Sequence, residues 1–169
     1  PESDIMMRRP RNKAYDRLVN NKLIGMCYGQ IGMIQAAAGF TCYFSVFAKY
    51  GIFYEDLAGT GFKYISKDDK FVCGLDYDTR MDYLRQAQTS FLISIIVAQW
   101  TDVMICKTRV LSVFQQGMYN MVLNIGLIEE LLLGMALCYI PAMNTAFKTT
   151  SIEFEMWCYG IPFAILILV

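Results

Sequence analysis

The sequence predicts an all-α membrane protein, a bundle of about four transmembrane helices with one long extracellular loop. The chain has 169 residues, 56% of them hydrophobic, and a mean hydropathy of +0.35, which is too apolar for an ordinary soluble domain of this length. Several apolar stretches are also long enough to cross a bilayer, which takes about 20 residues. The polar residues are concentrated between these stretches.

Charge and cysteine content exclude several function classes. The 15 basic and 15 acidic residues give a formal net charge of zero, so no overall field indicates nucleic acid or an acidic substrate. Histidine is absent, and the six cysteines are scattered without a CxxC pair, which argues against a zinc site or a disulfide framework. We expect most of these thiols to be small packing residues.

Residues 1–22 are polar and basic, and they precede the first apolar stretch. An excess of lysine and arginine beside a span indicates the cytoplasmic side, so this segment is predicted to be a cytoplasmic juxtamembrane segment. A solvated tail without a specific partner is the alternative. The chain begins at Pro1 and stops at Val169 within an apolar run, so we expect it to be a piece of a longer protein.

Residues 23–47 form the first predicted transmembrane helix. Its small residues recur at steps of four and three, which places them on one helical face that favours packing against another helix. These residues are Gly25, Gly29, Gly32, Ala36 and Gly39. Residues 48–85 are then the long extracellular loop, which is either a surface for a partner subunit or a solvated connection.

The second predicted transmembrane helix covers residues 86–106 and carries one acid, Asp102. Gln99 lies three residues earlier and therefore shares its helical face, whereas Trp100 points elsewhere. Residues 107–117 form a short basic loop, which returns the chain to the cytoplasmic side. The two basic segments then lie on the same side of the membrane.

The third predicted transmembrane helix covers residues 118–141 and carries two adjacent carboxylates near its middle, Glu129 and Glu130. An ionisable group there costs about 2.5 kcal/mol or more, so it usually faces a bundle interior or an ion path. Glu130 lies midway between Gly126 and Gly134 on a small-residue stripe, which favours close approach of another helix. A soluble core helix with one glutamate at the surface is the alternative.

Residues 142–155 are predicted to be a short extracellular loop, and residues 156–169 the start of a truncated fourth transmembrane helix. The oxygen-bearing side chains of Gln99, Asp102 and Glu130 on neighbouring helices would suit a hard cation such as sodium. The same residues could instead form a hydrogen-bonded helix pair in which polar groups hold the helices together.

Several strings of the sequence resemble the C-terminal membrane region of the sodium/potassium-transporting P-type ATPase alpha subunit. They are ESDIM and RRPRN, LIGMCYGQIGMIQA, QWTD with ICKTR, SVFQQGM, and GLIEELLL, in family order and at family spacing. The resemblance implies helices seven to ten of a ten-helix transport domain. It also implies a multi-pass plasma-membrane pump that exports sodium and imports potassium.

Carried over by motif, the family's third sodium site would use Gln99, Asp102 and Glu130. ATP and magnesium would bind to upstream domains that also contain the phosphorylated aspartate, so this segment alone would not hydrolyse ATP. The implied partners are the rest of the alpha subunit, the lipid bilayer, a beta subunit at residues 48–85 and a small single-helix regulator at the ninth helix. Nucleic acid is not among them.

The chain departs from the family pattern at two places that it includes. Residues 70–73, KFVC, stand where the family has the SYGQ string that docks the beta subunit. The family's RRNS phosphorylation context keeps Arg109 and Ser112 as possible regulatory residues but has lost one arginine. The alternatives to a sodium pump are a related proton/potassium pump, a structural membrane anchor that docks an accessory subunit, and a stand-alone small channel or adaptor.

Overall fold

A computed structural model describes residues 7, 9–10, 12, 15, 17, 19–67, 72–107, 115 and 117–168. Within these ranges the chain is helical or irregular, and its only strand-like pairing is an isolated β-bridge between Val72 and Leu75. Three of the helices are long and apolar enough to cross a membrane, and a shorter apolar helical stretch follows them. The predicted all-α membrane fold is therefore confirmed.

The first long helix, α1, covers Asn21–Lys49 and includes a π-helical segment at Gly25–Ile31. It begins before the predicted span because the side chain of Asn20 caps it, accepting a hydrogen bond from the backbone N–H of Leu23 at 2.8 Å. Such a cap satisfies one of the free N–H groups at a helix start. The cap therefore places the start of α1 in the polar juxtamembrane sequence.

The long loop after α1 contains two short helices, α2 at Tyr54–Leu57 and α3 at Gly61–Ile65. The ring of Tyr64 in α3 is 5% exposed. It packs edge-on against Phe47 at the end of α1, with 5.9 Å between ring centroids. The described part of the loop is therefore folded onto the ends of the long helices.

The second long helix, α4, covers Tyr77–Lys107. It is longer than the predicted span of residues 86–106 because the polar residues before Gln86 continue the same helix outward. Its buried positions include four residues at steps of seven, which is two helical turns. They are Arg80, Ala87, Ser94 and Thr101.

The third long helix, α5, covers Met121–Tyr139. Three short helices follow it: α6 at Pro141–Phe147, α7 at Phe154–Cys158 and α8 at Ile161–Leu168. Pro141 lies in the first turn of α6, where its missing N–H costs nothing. The connection predicted at residues 142–155 thus contains a helix of its own.

Helix α4 is the centre of the bundle and packs against α1, α5 and α8. Helix α4 approaches α1 closely at Gly39, where an added Cβ would lie 2.6 Å from the ring of Phe91. Near α8, a Cβ on Gly160 would lie 3.4 Å from the Cα of Ser94. Small residues therefore set the spacing of the bundle on two sides of α4.

The glycine face predicted for α1 packs against α4 only in part. Gly39 is buried, whereas Gly25 and Gly29 are exposed and have no atom of the described residues within 4 Å of an added Cβ. The core lies towards the other end of α1, where buried residues of the three long helices meet those of α3, α7 and the segments before them. Its buried members are Val46, Phe47, Ile52, Tyr64, Ala87, Ile93, Cys138, Ile152 and Met156.

Candidate cation site and its surroundings

Glu130 lies on the side of α5 that packs against α4. It is half-buried, whereas the neighbouring Glu129 is exposed. One turn further on, Gly134 is buried, and an added Cβ there would lie 3.2 Å from Cδ1 of Ile96 on α4. One turn earlier, Gly126 has no such neighbour among the described residues. Glu130 therefore sits at the border of the contact between α4 and α5.

Gln99 and Asp102 lie on α4, one helical turn apart. Gln99 is exposed and Asp102 is half-buried. The thiol of Cys106, a further turn along, lies 3.9 Å from Oδ1 of Asp102 and donates a weak hydrogen bond to it. Asp102 thus keeps most of its carboxylate acceptor capacity for other ligands.

The structure places these three side chains on two adjacent helices but does not join them. In the part of the chain that the structure describes, no hydrogen bond links Gln99 or Asp102 to Glu130. The same residues include no group of three or more His, Cys, Asp or Glu close enough to hold a metal ion. A carboxamide and two carboxylates supply oxygen ligands that suit a hard cation.

Trp100 lies beside the acid-bearing face and lines an apolar cavity of about 260 Å³. The cavity lies between α4, α5 and the start of α7, with Leu131 and Trp157 on its other walls. Trp100 therefore points away from Gln99 and Asp102, in agreement with the predicted helical spacing.

Helix ends that the predicted topology assigns to the cytoplasmic side are called inner ends, and the opposite ends outer ends. The inner ends of α4 and α5 are connected by side chains that the sequence analysis did not single out. Lys107, the last residue of α4, donates from Nζ to the carbonyl oxygen of Gly117 at 2.5 Å and lies 3.3 Å from Sδ of Met118. Asn124 on α5 donates from Nδ2 to the carbonyl oxygen of Met118 at 2.9 Å. A basic residue at the end of a predicted helix was the available signal, because such residues often bind carbonyl groups there.

At the opposite ends of the helices, Lys49 Nζ lies 2.6 Å from Oε2 of Glu153 and 3.9 Å from Oε2 of Glu155. Next to this ion pair, the hydroxyl of Tyr50 donates to Oε1 of Gln86 at 2.6 Å. Lys49, Tyr50, Gln86 and Glu153 line a cavity of about 260 Å³ between α1, α4 and the segment before α7. The ion pair and the hydrogen bond therefore connect three separate segments.

Arg80 was also missed by the sequence analysis, although it is fully buried at the outer end of α4. Its guanidinium donates to the carbonyl oxygens of Lys63 at 3.1 Å and Ser66 at 3.4 Å, and it lies 5.8 Å from the ring centroids of Tyr64 and Tyr77. Its spacing of seven residues from Ala87 was the available signal. Arg80 thus holds α3 against the outer end of α4.

Burial raises the pKa of Tyr64 to about 12, and the nearby Cys73 and Tyr43 add to the rise while Arg80 opposes it. Its hydroxyl has no hydrogen-bond partner among the described residues. The neutral phenol is therefore strongly favoured in the folded loop.

The possible regulatory residues Arg109 and Ser112 lie outside the described residues. So do residues 70 and 71 of the KFVC string. Its last two residues, Val72 and Cys73, are described and belong to a tight turn in which Cys73 has a positive φ of 54°.

Comparisons with known proteins match the whole chain. The family described as "Cation transporting ATPase, C-terminus" matches residues 1–169. The chain is 44% identical over 174 residues to the sodium/potassium-transporting ATPase subunit alpha-4 of Rattus norvegicus, covering 100% of this chain and 17% of that protein. It is 45% identical over 176 residues to the human alpha-4 subunit, covering 99% of this chain and 17% of that protein.

A relative from a third species also matches nearly the whole chain. The chain is 42% identical over 173 residues to the sodium/potassium-transporting ATPase subunit alpha-B of Artemia franciscana, covering 99% of this chain and 17% of that protein. The chain therefore spans about 17% of the length of the relatives that it matches.

Proposed function

Because the chain belongs to the family of cation-transporting ATPase C-termini, we propose that it is the C-terminal transmembrane module of an ATP-driven pump that exports sodium and imports potassium. Support comes from identities of 42% to 45% with sodium/potassium-transporting alpha subunits. In this proposal the rest of the protein binds ATP and magnesium and becomes phosphorylated. The whole protein is a multi-pass protein of the plasma membrane.

Gln99, Asp102 and Glu130 are proposed to bind sodium at the third site of this pump. A carboxylate inside a membrane is costly unless a cation or a proton neutralises it. Sodium and a proton would therefore compete for Asp102 and Glu130. Opening the site towards one side of the membrane would shift this competition, because a ligand favours the state that binds it better.

The difference in burial between Glu129 and Glu130 is the observation that carries this proposal. Glu130 is half-buried on the side of α5 that packs on α4, whereas Glu129 is exposed. Asp102 on α4 is also half-buried. A general role for acidic residues in α5 would not distinguish the two glutamates. A site between α4 and α5 requires Glu130.

The test is sodium-dependent phosphorylation from ATP in the full-length protein, with Glu130→Gln and Asp102→Asn compared with wild type. Each substitution should raise the sodium concentration for half-maximal phosphorylation about tenfold, since one charge-assisted ligand contact contributes about 1.5–3 kcal/mol. The potassium response should stay intact. Glu129→Gln is the matched control and should behave like wild type.

An unchanged sodium response in both Glu130→Gln and Asp102→Asn would contradict the sodium site. It would favour the second candidate, a structural membrane anchor that docks an accessory subunit through residues 48–85. The folded state of this loop supports the second candidate, because Arg80 and Tyr64 fix it to the ends of α1 and α4. A beta-like subunit at this loop and a single-helix regulator at α5 are the proposed partners.

A related proton/potassium pump remains the third candidate for the same fold. Such a pump does not require sodium for phosphorylation. Phosphorylation of the full-length protein in sodium-free buffer at several proton concentrations separates these two pumps.

A further inference from the structure

A single side chain joins the inner ends of the two helices that carry the acids. Lys107 is the last residue of α4, and its ammonium group donates to the carbonyl oxygen of Gly117 at 2.5 Å. Gly117 and Met118 lead directly into α5, and Lys107 also lies 3.3 Å from the sulfur of Met118. The contact therefore fixes the entry of α5 relative to the end of α4.

The Gly117 carbonyl is itself held in place. Gly117 has a φ of +70°, and an added Cβ would lie 2.5 Å from the ring of Tyr119, so the turn requires glycine. The next carbonyl, of Met118, accepts a hydrogen bond from Asn124 at 2.9 Å. Asn120 caps α5 by accepting from the backbone N–H of Val122 at 3.1 Å. Lys107 thus donates to a turn whose next residue is hydrogen-bonded to the first turn of α5.

Asp102 precedes Lys107 by five residues, or about 7.5 Å along an α-helix. Glu130 lies about 13.5 Å along α5 from its first residue, Met121. Because α5 packs on α4 at Gly134 and a packed interior transmits strain, a displacement of the start of α5 relative to the end of α4 would change the separation of the two carboxylates. Binding sites need their ligand atoms within about 0.5 Å of the productive positions.

We propose that Lys107 is a positioning residue that sets the distance between the ligands on α4 and Glu130, and thereby the sodium affinity of the site. The inference rests on the proposed sodium site. Lys107 itself does not contact the cation. Its effect passes through the Gly117 carbonyl to α5.

If Lys107 acted only through its positive charge, removing it would have the opposite effect on sodium affinity. A positive charge near a cation site opposes binding, so removing it would increase sodium affinity. Loss of a positioning contact would decrease sodium affinity, because the ligands on α4 and α5 would no longer be held at the required distance. The direction of the change in sodium affinity therefore distinguishes these two roles.

The experiment uses the full-length pump with Lys107→Met and Lys107→Arg. Lys107→Met should raise the sodium concentration for half-maximal phosphorylation about three- to tenfold, the range expected for coupling through a packed network. Lys107→Arg keeps the charge and the N–H donors and should restore the wild-type value. The potassium concentration for half-maximal dephosphorylation should be unchanged in both variants.

Lys22→Met is the matched control, because Lys22 is an exposed lysine at the predicted cytoplasmic end of α1. It removes the same charge and should leave the sodium response unchanged. If Lys107→Met fails to fold, Lys107→Gln takes its place, since the shorter glutamine does not reach the Gly117 carbonyl.

An unchanged or increased sodium affinity in Lys107→Met, or in Lys107→Gln where that variant takes its place, would overturn the inference. The potassium response provides a second criterion, because general damage to the bundle would impair both ions. The proposed function is tested separately from the role of Lys107. It would be contradicted only if Glu130→Gln and Asp102→Asn both left the sodium response unchanged. A shift in those two variants without a shift in Lys107→Met would overturn the positioning role alone.

Discussion

The ammonium group of Lys49 lies 2.6 Å from a carboxylate oxygen of Glu153 and joins the outer end of α1 to the segment that leads into α7. The side chains are 32% and 69% exposed, so solvent screens the pair. Exposed ion pairs typically contribute between about 0.2 and 1 kcal/mol. The pair therefore restrains the segment locally and adds little to the stability of the bundle.

Lys49→Met should increase hydrogen exchange of the backbone in residues 150–156 at low salt, because the contact that holds this segment is lost. The increase should be small, because solvent screens an exposed ion pair. High salt should raise the exchange of the wild type towards that of the variant. Glu153→Gln should give the same result, and adding it to Lys49→Met should have little further effect. A difference between wild type and Lys49→Met that persists at high salt would contradict an exposed ion pair.

Arg80→Met should open α3 from the outer end of α4. The hydrogen bonds from the guanidinium to the carbonyl oxygens of Lys63 and Ser66 would be lost, and a hydrogen bond to a charged group contributes about 1.5–3 kcal/mol. Hydrogen exchange and limited proteolysis of the loop in the full-length protein measure the opening. Arg80→Lys should rescue poorly, because a lysine lacks the planar fork that reaches both carbonyls. Full protection of the loop in Arg80→Met would contradict this role.

Tyr64 should titrate at an unusually high pH in the folded protein. Burial raises its pKa to about 12, against about 10 in the unfolded chain. Its contribution to stability is therefore fully present below about pH 10 and is lost as the pH rises through about 12. The difference in phenolate absorbance between wild type and Tyr64→Phe isolates this titration. A difference curve centred near pH 10 would show that the ring is not buried.

At neutral pH, Tyr64→Phe should leave the loop folded. The hydroxyl has no hydrogen-bond partner among the described residues, so its removal loses no contact there and removes a desolvated polar group. Proteolysis of the loop at neutral pH provides the measurement. Increased cleavage of the variant would indicate that the hydroxyl has a partner in the folded protein.

Gly39→Ala should destabilise the contact between α1 and α4. An added Cβ would lie 2.6 Å from the ring of Phe91, and overpacking of this kind costs about 1–3 kcal/mol. Gly29→Ala is the control, because nothing in the described residues lies within 4 Å of its added Cβ. The temperature of irreversible inactivation of the full-length pump should fall for Gly39→Ala and not for Gly29→Ala. Equal temperatures for the two variants would contradict the close approach at Gly39.

The sequence predicted the helical fold class and the main transmembrane spans, because a long apolar stretch that crosses a membrane can adopt few structures other than a helix. It also identified Glu130 as the acid at a helix contact, since the glycines one turn on either side of it are visible in the sequence. The structure supports this at Gly134, which packs on α4, but not at Gly126, which has no neighbour among the described residues. The small-residue stripe therefore identified the face of α5 that contacts α4, but it did not show how far along α5 this contact extends.

Contacts between distant polar residues were not predictable. Arg80 and Lys107 read as ordinary charged residues in polar sequence, and their partners are backbone carbonyls. Every residue has a backbone carbonyl group, so the sequence does not show which carbonyl accepts the hydrogen bond. The pairing of Lys49 with Glu153 crosses 104 positions, and only the packing of α1 beside the segment before α7 brings these two residues together.

The π-helical segment Gly25–Ile31 changes the angular phase of α1. In a π-helix each hydrogen bond spans five residues instead of four, so every turn contains more residues and each residue advances the helix by a smaller angle. Residues on either side of the segment therefore do not share the face that a regular α-helix would give them. Gly25 is exposed and Gly39 is buried, and a change of phase between them would let the two halves of one helix contact different neighbours.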